Sequence, residues 1–164
     1  MHSQDMLEAH PGDLGVDTAT LAAAVESLVD CADACAQCAD ACLAEPDIAM
    51  LARCIRLNLD CADVCGATAR VVPRQTEGDA SVTRQLLEAC IAVCRSCAEE
   101  CERHATMEHC RICAERCRDC EQRCQSLLAL SWPAAPGTDA VCRIVIDRDR
   151  APGRLRHLDG DFWF

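Results

Sequence analysis

The chain has 164 residues, a common size for one domain, with seventeen cysteines and a formal net charge of -11. That charge disfavours nucleic acid and anionic membrane surfaces as partners, and no run reaches the roughly 20 apolar residues of a membrane span. The opening "MHSQDMLEAHPGDLGVD" has no basic or apolar secretory region, so a reducing cytoplasmic setting is expected. There, abundant cysteine points to metal or redox chemistry rather than to a disulfide scaffold.

Residues 1–17 read as an N-terminal arm broken by Pro11, Gly12 and Gly15. Asp17 or Thr18 can cap a first helix over about 18–44, which contains "DCADACAQCADAC". A second helix is expected over about 46–72, with Pro46 in its first turn. "PRQTEGDA" is a loop, after which Asp79 or Ser81 caps a third helix over about 81–103. A turn near His104–Glu108 leads to a fourth helix that ends near 130, before "SWP". Residues 131–164 form a Pro/Gly-punctuated tail of uncertain structure with one strand-like run, "VCRIVI". Cys142 and His157 lie in that tail and are assigned no role.

The chain repeats itself. A shift of 59 carries Cys31, Cys35, Cys38 and Cys42 onto Cys90, Cys94, Cys97 and Cys101. The same shift carries Cys54, Cys61 and Cys65 onto Cys113, Cys120 and Cys124. Cys110 and Cys117 in the second copy face Leu51 and Asn58 in the first. Within each helix the cysteines step by three and four residues, the spacing of core-facing positions in a bundle. The expected fold is therefore all-α: an antiparallel up-down four-helix bundle over 18–130, built from two repeated helical hairpins. In that topology the thiols gather toward the end with the intra-hairpin turns. Leu21, Leu28, Val72, Leu87 and Leu127 close the other end. Residues 1–131 contain no Phe, Tyr or Trp, so the core must be aliphatic and sulfur.

One buried cysteine is usually just a small hydrophobe. Sixteen on matched inward positions of four helices point to a metal store. Thiolates select soft ions, and charge separates the candidates: one Cu(I) per thiolate leaves a nearly neutral core. Zn(II) on four thiolates leaves two negative charges in an apolar tube. Iron–sulfur proteins usually draw cysteines from loops, and "CxxxCxxCxxxC" is not a ferredoxin spacing. The alternatives are an iron–sulfur or redox electron-transfer protein and a structural helical assembly module. His104 continues the seam after Cys101 and is the stronger histidine candidate for metal; His109, beside Cys110, lies slightly off it. Met50 and Met107 lie near the same end but are weaker candidates, and Asn58 suits a core hydrogen bond better than a metal.

The motifs "CADACAQCADAC", "CIRLNLDCADVC", "CIAVCRSCAEEC" and "HCRICAERCRDCEQRC" together resemble the bacterial four-helix-bundle copper storage proteins, the Csp family. The resemblance covers about 18–130 and is to the cytosolic type without a leader. It implies a protein that is not an enzyme, that binds many Cu(I) ions mostly through thiolates, and that assembles into homotetramers. The metal ligands it implies are the sixteen repeat cysteines, with His104 and His109 at the end where copper enters. The tail, 131–164, has no counterpart in it.

Overall fold

The computed structural model describes residues 2–130, so the tail and its strand-like run lie outside the described residues. Five helices follow one another: α1 (Ser3–Glu8), α2 (Thr18–Leu43), α3 (Ile48–Val71), α4 (Ala80–Arg103) and α5 (Glu108–Leu128). Among the described residues there is no strand.

Carboxylates start three of the long helices. Asp17 accepts from the Thr20 N–H at 2.8 Å, Asp47 from the Met50 N–H at 3.3 Å, and Asp79 from the Ser81 N–H at 2.8 Å. Each satisfies a backbone donor that the first helical turn leaves open. Pro46 therefore stands before the cap of α3 and not within its first turn, because Asp47 takes the capping position. No side chain caps α5, whose first turn instead carries Glu108 paired with Arg111 at 2.5 Å.

The four long helices form a square. α2 packs on α3 and α5, and α4 packs on α3 and α5, so each helix lies against its two neighbours. Short turns at 44–47 and 104–107 make each hairpin antiparallel and place both turns at one end. α1 lies within the stretch whose sequence reads as an arm. It lies against α2, and the arm buries Leu7 and Leu14. Gly15, at φ 64°, reverses the chain between this arm and α2.

At the end away from the two turns, Leu21, Leu28, Val72, Leu87 and Leu127 are almost wholly buried. Each leucine there contributes about 1.5–3 kcal/mol of transfer free energy, so this plug anchors the bundle. Cysteine fills most of the rest of the interior, with Thr68 buried near the plug and Leu51 and Asn58 where the first hairpin lacks its second copy's thiols.

Candidate metal centre

The alternation of three- and four-residue steps turns every repeat cysteine inward. α2 supplies Cys31, Cys35, Cys38 and Cys42; α3 supplies Cys54, Cys61 and Cys65. α4 supplies Cys90, Cys94, Cys97 and Cys101, and α5 supplies Cys110, Cys113, Cys117, Cys120 and Cys124. All sixteen are buried free thiols.

Sulfur meets sulfur along the tube. Near the leucine plug, Cys65 lies 3.4 Å from Cys94 and 3.5 Å from Cys90, and Cys124 lies 3.8 Å from Cys90. At mid-depth Cys117 lies 3.5 Å from Cys35 and 3.7 Å from Cys31. Toward the turns, Cys54 and Cys101 are 3.7 Å apart, and Cys38 and Cys110 are 3.9 Å apart. These distances exceed a sulfur–sulfur bond of about 2.05 Å.

Donor atoms within 4.8 Å of one another form overlapping quartets. They include Cys31, Cys61, Cys65 and Cys94; Cys35, Cys97, Cys113 and Cys117; and Cys38, Cys54, Cys101 and Cys110. Those three share no residue, so geometry alone would admit tetrahedral zinc. Charge counts against it, because each Zn(II)–thiolate quartet carries two buried negative charges. Arg53, Arg95 and Arg118, which pair with acids around the bundle, are 40 to 69 % exposed and lie outside the tube. Cu(I) removes the problem, since one monovalent ion per thiolate is neutral and a thiolate shared between quartets can bridge ions.

Packed thiols also set one another's acidity. Desolvation pushes the Cys42 thiol up to about 11, and desolvation likewise raises Cys110. Cys54 is displaced downward, because first Cys101 and then Cys38 donate to its sulfur. A proton held on one sulfur thus supports the anion on its neighbour, and a metal entering this lattice must displace protons.

Asn58 sits fully buried among the sulfurs. Its Oδ1 accepts from Cys97 at 2.9 Å, Cys113 at 3.2 Å and Cys101 at 3.5 Å. Its Nδ2 donates to Cys54 at 3.6 Å. The amide is a hydrogen-bond hub among the thiols, the core role its position suggests.

The two histidines are placed differently. α4 ends at Arg103, so His104 is the C-cap residue, at φ -111°, and leaves the helical register that aligned it with Cys101. Its Nε2 is buried without a hydrogen-bond partner, 3.5 Å from the carboxylate of buried Glu100. His109 lies in the first turn of α5, and its Nδ1 is 3.5 Å from Cys38, 3.5 Å from Cys110 and 3.9 Å from Cys42. On its other side, Nε2 donates to Glu45 at 3.1 Å. With Cys38, Cys42 and Cys110 it completes a further donor quartet. Glu45 escapes a sequence reading, because one acid in the α2–α3 turn has no spacing to mark it. Met50 is 54 % exposed, and Met107 packs on the core from the α4–α5 turn.

The family model for the copper storage protein, Csp, matches residues 17–129. The chain belongs to the copper storage protein family. Among solved structures, Ccsp from Streptomyces lividans loaded with 10 copper equivalents is 56 % identical. It aligns over 77 % of this chain and 98 % of its own, with a TM-score of 0.76. A cytosolic copper storage protein from Streptomyces lividans with five coppers is 57 % identical, over 69 % and 95 %, at a TM-score of 0.68. The Cu(I)-bound copper storage protein BsCsp3 is 34 % identical, over 65 % and 96 %, at 0.58. No curated protein matched the chain. In this Csp-family chain α3 brings three thiols to the tube and α5 brings five, so the thiol lining is lopsided.

Proposed function

We propose that the protein stores and sequesters multiple Cu(I) ions on the thiolates that line its bundle. The observation carrying this reading is the tube of sixteen buried free thiols in overlapping quartets. Its ligands are Cys31, Cys35, Cys38, Cys42, Cys54, Cys61, Cys65, Cys90, Cys94, Cys97, Cys101, Cys110, Cys113, Cys117, Cys120 and Cys124. His104 and His109 serve at the end where copper enters. Storage in this scheme needs no catalysis, and the protein acts as a reservoir and not as an enzyme.

A cytoplasmic location is supported by the relative described as cytosolic. No helix among the described residues is long and apolar enough to cross a membrane. Assembly into homotetramers is favoured by apolar side chains left in water around the α2–α3 turn, where Leu43, Ile48 and Met50 are 54, 44 and 54 % exposed.

Anaerobic Cu(I) titration of the reduced protein against a competing chelator tests the store. Saturation at about one ion per thiolate, or slightly fewer, is expected. Saturation at one or two ions per chain would sink it. Visible absorbance in the purified protein, with iron and acid-labile sulfide, would point to an iron–sulfur protein instead.

A further inference from the structure

An apolar cleft of about 420 Å³ lies open on the outside of the bundle. α1 gives it Met6 and Leu7, α2 gives it Val25, and Pro73 lines it from just past α3. Val25 falls between the plug residues Leu21 and Leu28, and Pro73 follows Val72, so the cleft belongs to the end away from the two turns. One wall is tied down at His10, whose Nδ1 accepts from the Gly12 N–H and whose Nε2 donates to Thr76, both at 3.1 Å. The clefts between α2 and α5 are instead lined by charges, among them Asp30, Arg116 and Arg123. Met6 is 71 % exposed, the most open large apolar side chain among the described residues. A six-residue helix held on α2 by Leu7 has little to stabilise it while this face stays in water.

We propose that the aromatic C-terminus of the chain, Phe162, Trp163 and Phe164, docks in this cleft and clasps the two chain ends together over the plug. The family match spans 17–129, so the arm that builds the cleft and the stretch that carries the aromatics both lie outside the shared bundle. Both also adjoin the same end of it: α2 starts there, and α5 finishes there with Leu128 and Leu130 packed against the core. Reach sets no limit. The 32 residues from Leu130 to Phe162 can span roughly 100 Å when extended, whereas α2 is about 39 Å long. Charge favours the approach, since residues 143–157 carry five arginines against two aspartates on a chain of net charge -11. Apolar chemistry then selects the cleft. Each aromatic side chain has about 150–250 Å² to bury, and residues 2–130 hold no ring for it to stack on. The Met6 thioether is a favourable neighbour for an aromatic ring, and a cavity of this volume falls within the roughly 300–1,000 Å³ that accommodates small ligands.

The test uses the reduced, copper-free, full-length protein carrying Trp132→Phe, which leaves Trp163 as its one tryptophan. Acrylamide should quench Trp163 severalfold less in the native protein than in urea. Met6→Asp places a charge in the cleft at an exposed position, and it should bring quenching toward the urea value and shift the emission to the red. Leu59→Asp, at an exposed apolar site on α3, should leave both unchanged. Deletion of residues 162–164 should speed hydrogen exchange of the Met6 and Ala9 amides, which donate within α1 and its cap, about tenfold, with α2 to α5 unaffected. Trp163 as open to acrylamide in the native protein as in urea would overturn the proposal. So would a response to Leu59→Asp without one to Met6→Asp, or α1 exchange that ignores the deletion. Protection of Trp163 that grows with protein concentration would place a second copy's C-terminus in the cleft and overturn it too. Copper storage stands or falls separately, because every readout here is made without copper and none counts bound ions.

Discussion

Asn58 occupies the position that Cys117 holds in the second repeat, and its amide oxygen gathers three thiol protons. Asn58→Cys should therefore raise copper capacity by one ion, read by the same competitive titration. Asn58→Ala removes the acceptor and leaves buried donors unpaired. It should cost about 1–3 kcal/mol in the urea unfolding free energy of the copper-free protein. Cys42 makes a pH prediction. Folding raises its thiol from 9.0 to about 11 by desolvation, so the folded state holds this proton more tightly than the unfolded chain. Its contribution to stability is complete below pH 9 and is lost as pH rises through 11. Cys110 is displaced in the same direction for the same first cause. Thermal melts of the reduced copper-free protein should thus show a falling Tm across that alkaline window, and a flat Tm would contradict the assignment.

Helices were the most legible part of the sequence. The 59-residue shift and the three-four cysteine ladder mark α2 to α5 closely, and Asp17 and Asp79 fix the starts of α2 and α4, because each is a local pattern that tertiary packing then reinforces. α1 was hidden for the opposite reason: six residues carry too little periodicity, and only contact with α2 gives Leu7 a place to be buried. The histidines show the same divide. A heptad continued past Cys101 points to His104, but the helix stops at Arg103, and a helix end is what a repeat cannot report. What holds an element is also unequal. Arg118 reaches from α5 to Glu102 on α4 with two bonds of 2.9 and 3.0 Å, but 40 and 49 % of these side chains is exposed. Glu102→Gln should cost less than about 1 kcal/mol, whereas Leu87→Ala on the same helix should cost about 2–5 kcal/mol. Paired denaturation curves would reveal any reversal of that order.

For the whole molecule, copper and folding are linked. The unfolded chain has no assembled lattice, so metal bound only by the native bundle stabilises it by about 2.7 kcal/mol at one hundred times Kd. Tm should climb with each Cu(I) equivalent until saturation, and a competing chelator should reverse the rise. Loading should also acidify an unbuffered solution, because thiols that hold protons in the empty tube must give them up. Size-exclusion chromatography with light scattering checks the tetramer; a monomer at all concentrations would leave Leu43, Ile48 and Met50 as ordinary surface residues.

The absence of Phe, Tyr and Trp from residues 2–130 has an optical consequence. The bundle is nearly dark in the near ultraviolet, while Trp132 and Trp163 both belong to the stretch after it. Absorbance that grows on titration then arises from sulfur-to-copper charge transfer, over a constant background set by the two tryptophans. Tryptophan emission, in the same cuvette, reports on the other part of the chain. One sample gives an absorbance difference for the core and an emission for the stretch after it, and the filling of the core can be counted by light without a label.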